Sequence, residues 1–300
     1  MTALLKRATT TLPRRVKPFN GETLASYLKR LADANRLDPM ALRRYIAESR
    51  LSGPVPVGRL ATVSGIPATA FEWAIADLDG RSLASTNYFR SIAIHPQLSG
   101  SACQLCAAAR GITQPVISWK PPEKVVCLPH RRWTGSGSTS IQPSLHRQPD
   151  ILEAHKRHLR LVRRFGRDEV TMGFEIAAEI CRQWRDQREH DEEFARRLSV
   201  FHGPDWKLSP SDPTVAAAAY PQVVGLTRLI TSPYWHELAI SYSAHALSLF
   251  QQEMRRTVAP AYRWPQPTFS KDPLHRWLIG GNHSSTYGDL VSDDGGRRVQ

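Results

Sequence analysis

The sequence lacks long apolar stretches and the common catalytic motifs. The longest apolar stretches, 214–220 and 239–249, fall well short of the ~20 residues that a membrane-spanning helix needs. Residues 1–15 lack the apolar stretch of ~7 to 15 residues that marks a secretory signal. The motifs GxxxxGK[ST], HExxH and GxSxG are absent, and the acidic residues form no recognisable catalytic set. We therefore expect a cytoplasmic protein that is not an enzyme and does not enter a membrane.

Cysteine is scarce and clustered. Of four cysteines in 300 residues, three lie within 25 positions, and a cytoplasmic chain rarely uses disulfides, so metal binding is the first interpretation. Cys103 and Cys106 form one Cys-x-x-Cys pair, and Cys127 and His130 form a Cys-x-x-His pair twenty residues later. Four such ligands suit tetrahedral Zn²⁺, and a full ligand set predicts one closed, structural ion. The alternative is that the cysteines pack as small hydrophobic residues.

A small zinc ribbon is predicted over residues 98–133. The segments 112–120 and 124–126 are short, rich in β-branched residues and bounded by proline or glycine, which is typical of strands. A module of this size buries too little apolar surface to fold alone, so we expect its folding to depend on the metal.

The positive charge is concentrated in two blocks. The chain has 40 Lys and Arg against 27 Asp and Glu. Residues 1–50 carry 11 basic and 4 acidic side chains, residues 101–170 carry 12 and 5, and the other parts are nearly neutral. Clustered positive charge favours a polyanion through counterion release. Nucleic acid is the first candidate and an anionic membrane the second, and a solvated basic surface without a partner is the alternative.

Residues 19–97 are expected to form a helical domain that resembles a helix-turn-helix. Asn20 is a candidate N-cap for an amphipathic helix that continues to residue 32, and 39–49 predicts a second helix. Residues 57–76 place Gly65 at a tight corner between two further helices. The second of these presents Thr69 outward but no Arg or Lys, so it either reads bases or serves only for packing.

The remaining segments predict a mainly α fold with three parts: the helix-turn-helix-like N-terminal domain, the zinc ribbon and a C-terminal α-helical domain. Residues 1–18 are expected to be a flexible basic arm, 134–149 a linker, 150–260 the C-terminal helical domain and 261–300 a disordered tail. Within the C-terminal domain, His155 and His158 are expected to be solvated, and Cys181 to be a buried thiol.

The residues that surround the cysteines resemble the TniQ family. The similarity rests on ETLASYLKRLADAN (22–35), the Cys103/Cys106 pair, Trp119 and Cys127-x-x-His130, and extends over about residues 12–165. It implies that the four ligands bind zinc and that no catalytic residues are present. It also implies a DNA-associated protein that takes part in transposon target-site selection. The chain departs from the family pattern at Gln104 and Tyr27, where proline and tryptophan are common.

Double-stranded DNA and a transposition ATPase or transposase are therefore the expected partners, with nucleoid association. A stand-alone DNA-binding regulator is the alternative, and a protein-interaction module without DNA binding is a third hypothesis. The predicted DNA contacts are Lys29, Arg30, Arg43, Arg44, Thr69, Arg131, Arg132, Lys156, Arg157, Arg160, Arg163 and Arg164.

Overall fold

The computed structural model describes residues 10–47, 55–78, 99–135, 141–203, 212–241, 243–264 and 271–280. In these ranges the fold is mainly helical, as predicted. The helices are α1 Leu24–Ala34, α2 Pro39–Ile46, α3 Val57–Ser64, α4 Ala68–Ala74, α5 Gln104–Ala108, α6 Pro149–Phe165, α7 Arg167–Asp186, α8 Glu192–His202, α9 Pro213–Thr231, α10 Pro233–Ile240, α11 Ala244–Thr257 and α12 Pro273–Gly280. The strands are β1 Ser99–Ser101, β2 Ile117–Trp119, β3 Val126–Cys127 and β4 Arg132–Trp133.

The chain divides into two compact units. Unit 1 contains 1–171 and 197–220, and unit 2 contains 172–196 and 221–300. This division differs from the predicted C-terminal domain, because part of 150–260 belongs to each unit. None of the helices in the described ranges is long and apolar enough to cross a membrane.

Helices α1 and α2 begin at residues that satisfy free backbone N–H groups. Thr23, rather than Asn20, caps α1 and accepts a hydrogen bond from the backbone N–H of Ser26. Asp38 caps α2 and accepts from the N–H of Ala41 at 2.7 Å, with Pro39 at the first helical position.

The two helices predicted within 57–76 are present as α3 and α4. Gly65 ends α3 with a φ of +66°, a backbone conformation that residues with a Cβ rarely adopt. The buried face of α3 and α4 joins that of α1 and α2 in one apolar core. In its centre the rings of Tyr27 and Phe71 meet edge to face, with centroids 5.1 Å apart.

The described residues before α1, 10–23, make backbone and side-chain contacts with the helices. The backbone N–H of Leu12 donates to the carbonyl of Val63 at 2.8 Å, and Tyr27 Oη donates to the carbonyl of Val16 at 3.0 Å. Residues 10–18 therefore lie on the helical core and are not a free arm. The first nine residues of the predicted arm lie outside the described ranges.

The predicted zinc module is built from two small antiparallel sheets, β1 with β2 and β3 with β4. Strand β2 also pairs with the chain just before α1: Thr23 N–H donates to the Ile117 carbonyl, and Trp119 N–H donates to the Gly21 carbonyl, each at 2.9 Å. Asp77 reinforces this junction, because one carboxylate oxygen accepts from Leu24 N–H at 2.6 Å and the other from the Trp119 indole.

The described part of the predicted linker is packed against its neighbours. Leu145 is fully buried and donates its N–H to the carbonyl of Arg131 at 2.8 Å. Buried Gln148 donates to the Arg197 carbonyl at 2.8 Å, and Arg197 pairs with Asp150 at 2.5 Å. Residues 136–140 lie outside the described ranges.

The described part of unit 2 is helical, and Cys181 is among its buried residues, as predicted. Helices α7 and α9 approach closely at Gly173, where an added Cβ would clash with the side chain of Thr231. Residues 233–257 form two helices, α10 and α11, which are separated near Ser241. Within the predicted tail, 273–280 forms α12, and 281–300 lies outside the described ranges.

Candidate metal centre and basic surfaces

The first Cys-x-x-Cys pair lies at the start of a short helix. Cys103 is the N-cap of α5, and its carbonyl accepts from the N–H of Ala107 at 2.9 Å. The helical turn brings Cys106, three residues later, to the same side as Cys103. Local helix geometry therefore brings both sulfur atoms to one side of the chain.

The second pair lies on the turn between β3 and β4. Cys127 pairs with Arg132 across the hairpin, so 128–131 forms the turn that carries His130. Arg131 adopts a positive φ of 45°, and its N–H donates to the Leu128 carbonyl at 3.3 Å. This tight turn directs the imidazole of His130 toward the sulfur atoms.

The four side chains have the spacing of a tetrahedral site. The Sγ atoms of Cys103, Cys106 and Cys127 lie 3.5, 3.3 and 3.5 Å from Nδ1 of His130. The Sγ atoms of Cys106 and Cys127 are 3.7 Å apart. A tetrahedral zinc with bonds of ~2.3 Å to sulfur and ~2.0 Å to nitrogen separates two sulfurs by about 3.8 Å, and sulfur from nitrogen by about 3.5 Å. The cluster can therefore hold a metal ion without rearrangement.

Burial shifts the pKa values of the ionisable side chains at the centre. It raises the pKa of the Cys127 thiol to about 12 and also raises that of Cys106. Burial lowers the pKa of the nearby Lys120 ammonium to about 8. Coulomb attraction to the three cysteines acts in the opposite direction and raises this pKa. The Lys120 ammonium donates to the carbonyls of Ser101 and Thr134 at 2.7 and 3.1 Å. A dication bound here by three thiolates and a neutral imidazole would give the centre a net charge of −1, and the Lys120 ammonium would offset this charge.

Gln142 supports the first pair from outside the ligand set. Its side-chain oxygen accepts from the N–H of Gln104 at 3.0 Å, and its side-chain nitrogen donates to the carbonyl of Ala102 at 2.8 Å. Both contacts flank Cys103. Sequence analysis missed this role because Gln142 lies in the segment predicted as a linker.

The predicted DNA contacts have different environments. Arg30 is buried rather than exposed, and its guanidinium forms a 2.5 Å ion pair with the buried carboxylate of Glu22, which offsets its charge. Arg132 is half-buried and donates to the Gln142 carbonyl at 2.9 Å. Arg43 and Arg157 are half-buried, whereas Lys29, Arg44, Thr69 and Arg131 are exposed.

Helix α6 presents a basic face. Lys156, Arg160, Arg163 and Arg164 are exposed at spacings of three and four residues. At ~1.5 Å per residue they extend over about 12 Å of the helix. Lys156 forms a 2.6 Å ion pair with Glu153, which offsets one of these charges.

The expectation for the two histidines of α6 is also corrected. His155 and His158 are buried, and His158 Nδ1 lies 2.9 Å from the hydroxyl of Tyr220. Desolvation lowers the pKa of His155 to about 4 and that of His158 to about 3. His158 meets Tyr220, sixty-two positions later, and the local pattern does not reveal this contact.

Comparison with known families finds a match in the N-terminal part of the chain. Residues 13–132 match the family model of TniQ. The chain carries a TniQ domain. The matched range contains all four candidate metal ligands and ends two residues after His130, whereas the basic face of α6 lies beyond the TniQ match. Neither the curated proteins nor the solved structures contain a match to this chain.

Proposed function

We propose that this protein is a non-enzymatic DNA-binding adaptor of transposition, in which one structural zinc ion organises the TniQ domain. The TniQ match over residues 13–132 is the observation that carries the proposal, because the family is one of transposition-related adaptors. In this role the protein bridges duplex DNA and a transposition ATPase or transposase, and so contributes to the choice of insertion site.

Zinc is favoured by the donor set. Three thiols and one imidazole are ligands that zinc binds in closed structural sites, and the site leaves no position for a catalytic water. Cys103, Cys106, Cys127 and His130 would hold the ion. Zinc bound there would cross-link the turn at the start of α5 to the turn between β3 and β4.

DNA binding is supported by exposed charge. The basic face of α6 extends over about 12 Å, the axial length of three to four base pairs at ~3.4 Å each. Arginine at these spacings favours phosphate contacts, which position a protein on a duplex without reading its sequence. By contrast, the exposed residues of α4 include Thr69, Glu72 and Trp73 but no Arg or Lys that could reach a base edge. This favours a packing role over base reading for α4.

The test is DNA binding by the zinc-loaded chain across a salt series. Random duplexes and fragments of the source genome are compared between about 50 and about 200 mM salt. The variant Arg160→Glu/Arg163→Glu/Arg164→Glu is expected to weaken binding to all duplexes and to reduce the salt slope by about one per lost contact. The matched control Arg36→Glu/Lys124→Glu/Arg147→Glu changes the net charge equally at exposed sites outside α6.

The outcomes separate the hypotheses. Salt-dependent binding that the α6 variant weakens and the control leaves unchanged supports the proposal, and co-purification with a transposase or ATPase supports the bridging role. Binding without any such partner favours a stand-alone regulator. No binding to any duplex would contradict the proposal and favour an interaction module.

A further inference from the structure

A basic groove lies between the segment before α1 and the loop after α5. Its volume is about 830 Å³, so an extended ligand fits better than a single small ion. Its walls are formed by residues 15–19 and 110–114, and its floor includes Arg30 and Ala34 of α1. We call it the interwall groove.

The lining of the interwall groove is strongly positive. Arg15, Lys17 and Arg110 line it and are exposed, and no acidic residue is among its lining residues. Arg30 also lines it, but its charge is offset by Glu22. One carboxylate, that of Asp33, lies beside the lining, where it accepts a 3.3 Å hydrogen bond from Gln114.

The first wall is fixed by the buried ion pair. Arg30 donates to the carbonyl of Lys17 at 3.1 Å, and Glu22 accepts from the N–H of Phe19 at 3.0 Å. This pair therefore holds the backbone of 17–19 from both sides. Arg15 lies against the α3–α4 corner, where a Cβ at Gly65 would come within 2.8 Å of its Nε.

The second wall is fixed by the metal module. Arg110 follows α5, and its N–H donates to the carbonyl of Ala107 at 2.9 Å, one residue after the ligand Cys106. Its guanidinium lies over the ring of Phe19, 4.7 Å from the centroid. The two walls thus meet at the contact between Arg110 and Phe19.

We propose that the interwall groove binds the phosphodiester backbone of DNA through Arg15, Lys17 and Arg110. Preorganised positive side chains with few neighbouring carboxylates favour phosphates, and three charges in one groove release counterions together. This inference rests on the proposed DNA binding and adds a site within the TniQ domain, separate from the basic face of α6. Because α5 and its N-cap together carry two metal ligands, metal removal should disturb the second wall.

The experiment compares Arg15→Glu/Lys17→Glu/Arg110→Glu with the matched control Arg36→Glu/Lys124→Glu/Arg147→Glu. Duplex and single-stranded probes are titrated with each zinc-loaded chain, and far-UV circular dichroism and metal content verify folding. The groove variant is expected to lose at least tenfold in affinity at low salt and to lower the salt slope by about three. The glutamine triple variant, which removes charge without reversing it, is expected to show a smaller loss in the same direction.

Lysine acetylation followed by mass spectrometry provides a local readout on the unmodified chain. Bound DNA is expected to protect Lys17 and to leave exposed Lys124 and Lys271 reactive. Equal DNA affinity of the groove and control variants, or an unprotected Lys17, would overturn the groove proposal even if the α6 variant is weakened. If the unmodified chain binds no DNA, the proposed function fails and the groove proposal fails with it. A preference for the single strand or the duplex identifies the form of the backbone.

Discussion

The side-chain oxygen of Gln142 accepts a 3.0 Å hydrogen bond from the backbone N–H of Gln104, the residue that follows Cys103. The same side chain donates to the carbonyl of Ala102, so the backbone is held on both sides of the first metal ligand. Groups that orient a ligand in this way typically change metal affinity when removed, although they do not touch the ion.

Replacing Gln142 with Ala is expected to lower zinc affinity by ~10- to 100-fold, because Cys103 loses both anchors. The measurement is zinc transfer to a chelator of known affinity. His146→Ala, an exposed residue nearby, is the control and should leave the affinity unchanged. Unchanged affinity of the Gln142 variant would show that α5 alone positions Cys103.

Gly65→Ala is expected to destabilise unit 1 by about 1–2 kcal/mol through backbone strain, because φ is +66° at this position. Contact adds to this cost, since the new Cβ meets the side chains of Arg15 and Thr11 at 2.8 and 2.9 Å. Chemical denaturation measures the change. Gly58→Ala, within α3 and with nothing near the new Cβ, should be neutral or stabilising. Equal stabilities of the two variants would contradict the role of the corner.

Asp77→Ala is expected to destabilise the junction between α1 and β2 by about 2–4 kcal/mol, since it leaves the Leu24 N–H and the Trp119 indole without their acceptor. Asp77→Asn keeps one acceptor oxygen and should cost less. Denaturation followed by tryptophan fluorescence compares the two. A stability unchanged by alanine would show that the carboxylate does not hold the junction.

The buried histidines predict a loss of stability in mild acid. Burial lowers the pKa of His155 to about 4, whereas an unfolded histidine titrates near ~6.5, so the unfolded state binds the proton first. The contribution of this neutral histidine to the free energy of unfolding is therefore fully present above about pH 6.5 and falls as the pH drops toward its folded-state pKa of about 4. Between about pH 7.5 and about pH 5.5 the loss from this residue is about 1.4 kcal/mol.

His155→Leu is expected to flatten the pH dependence of unfolding free energy by about that amount relative to the unmodified chain. His146→Gln removes an exposed histidine and should leave the dependence unchanged. Because all chains keep the metal ligands, the difference between chains cancels any acid loss of metal. An identical pH profile for His155→Leu would show that His155 is not held neutral.

The metal ligands were predictable because each pair is local. A helix turn or a hairpin turn places two ligands three residues apart, whatever the remaining chain does. The burial of Arg30 was not predictable in the same way: its position on α1 favours exposure, but Glu22 folds back from the segment before the helix.

The interwall groove and the buried histidines depend on contacts distant in sequence. The groove exists because β2 pairs with the chain near Thr23, which brings 110–114 beside 15–19. His158 is buried by contact with Tyr220, sixty-two residues later. Hydrophobic periodicity reports only local patterns, so polar residues that fill such contacts are predicted to be exposed.

X-ray absorption spectroscopy with elemental analysis of the purified chain tests the central claim most directly. The account predicts one zinc per chain, bound by three sulfurs at ~2.3 Å and one nitrogen at ~2.0 Å. Cys106→Ser should lose the ion, whereas Cys181→Ala, which changes a buried thiol of unit 2, should retain it. A folded chain without metal, or an ion bound mainly through oxygen, would contradict the account.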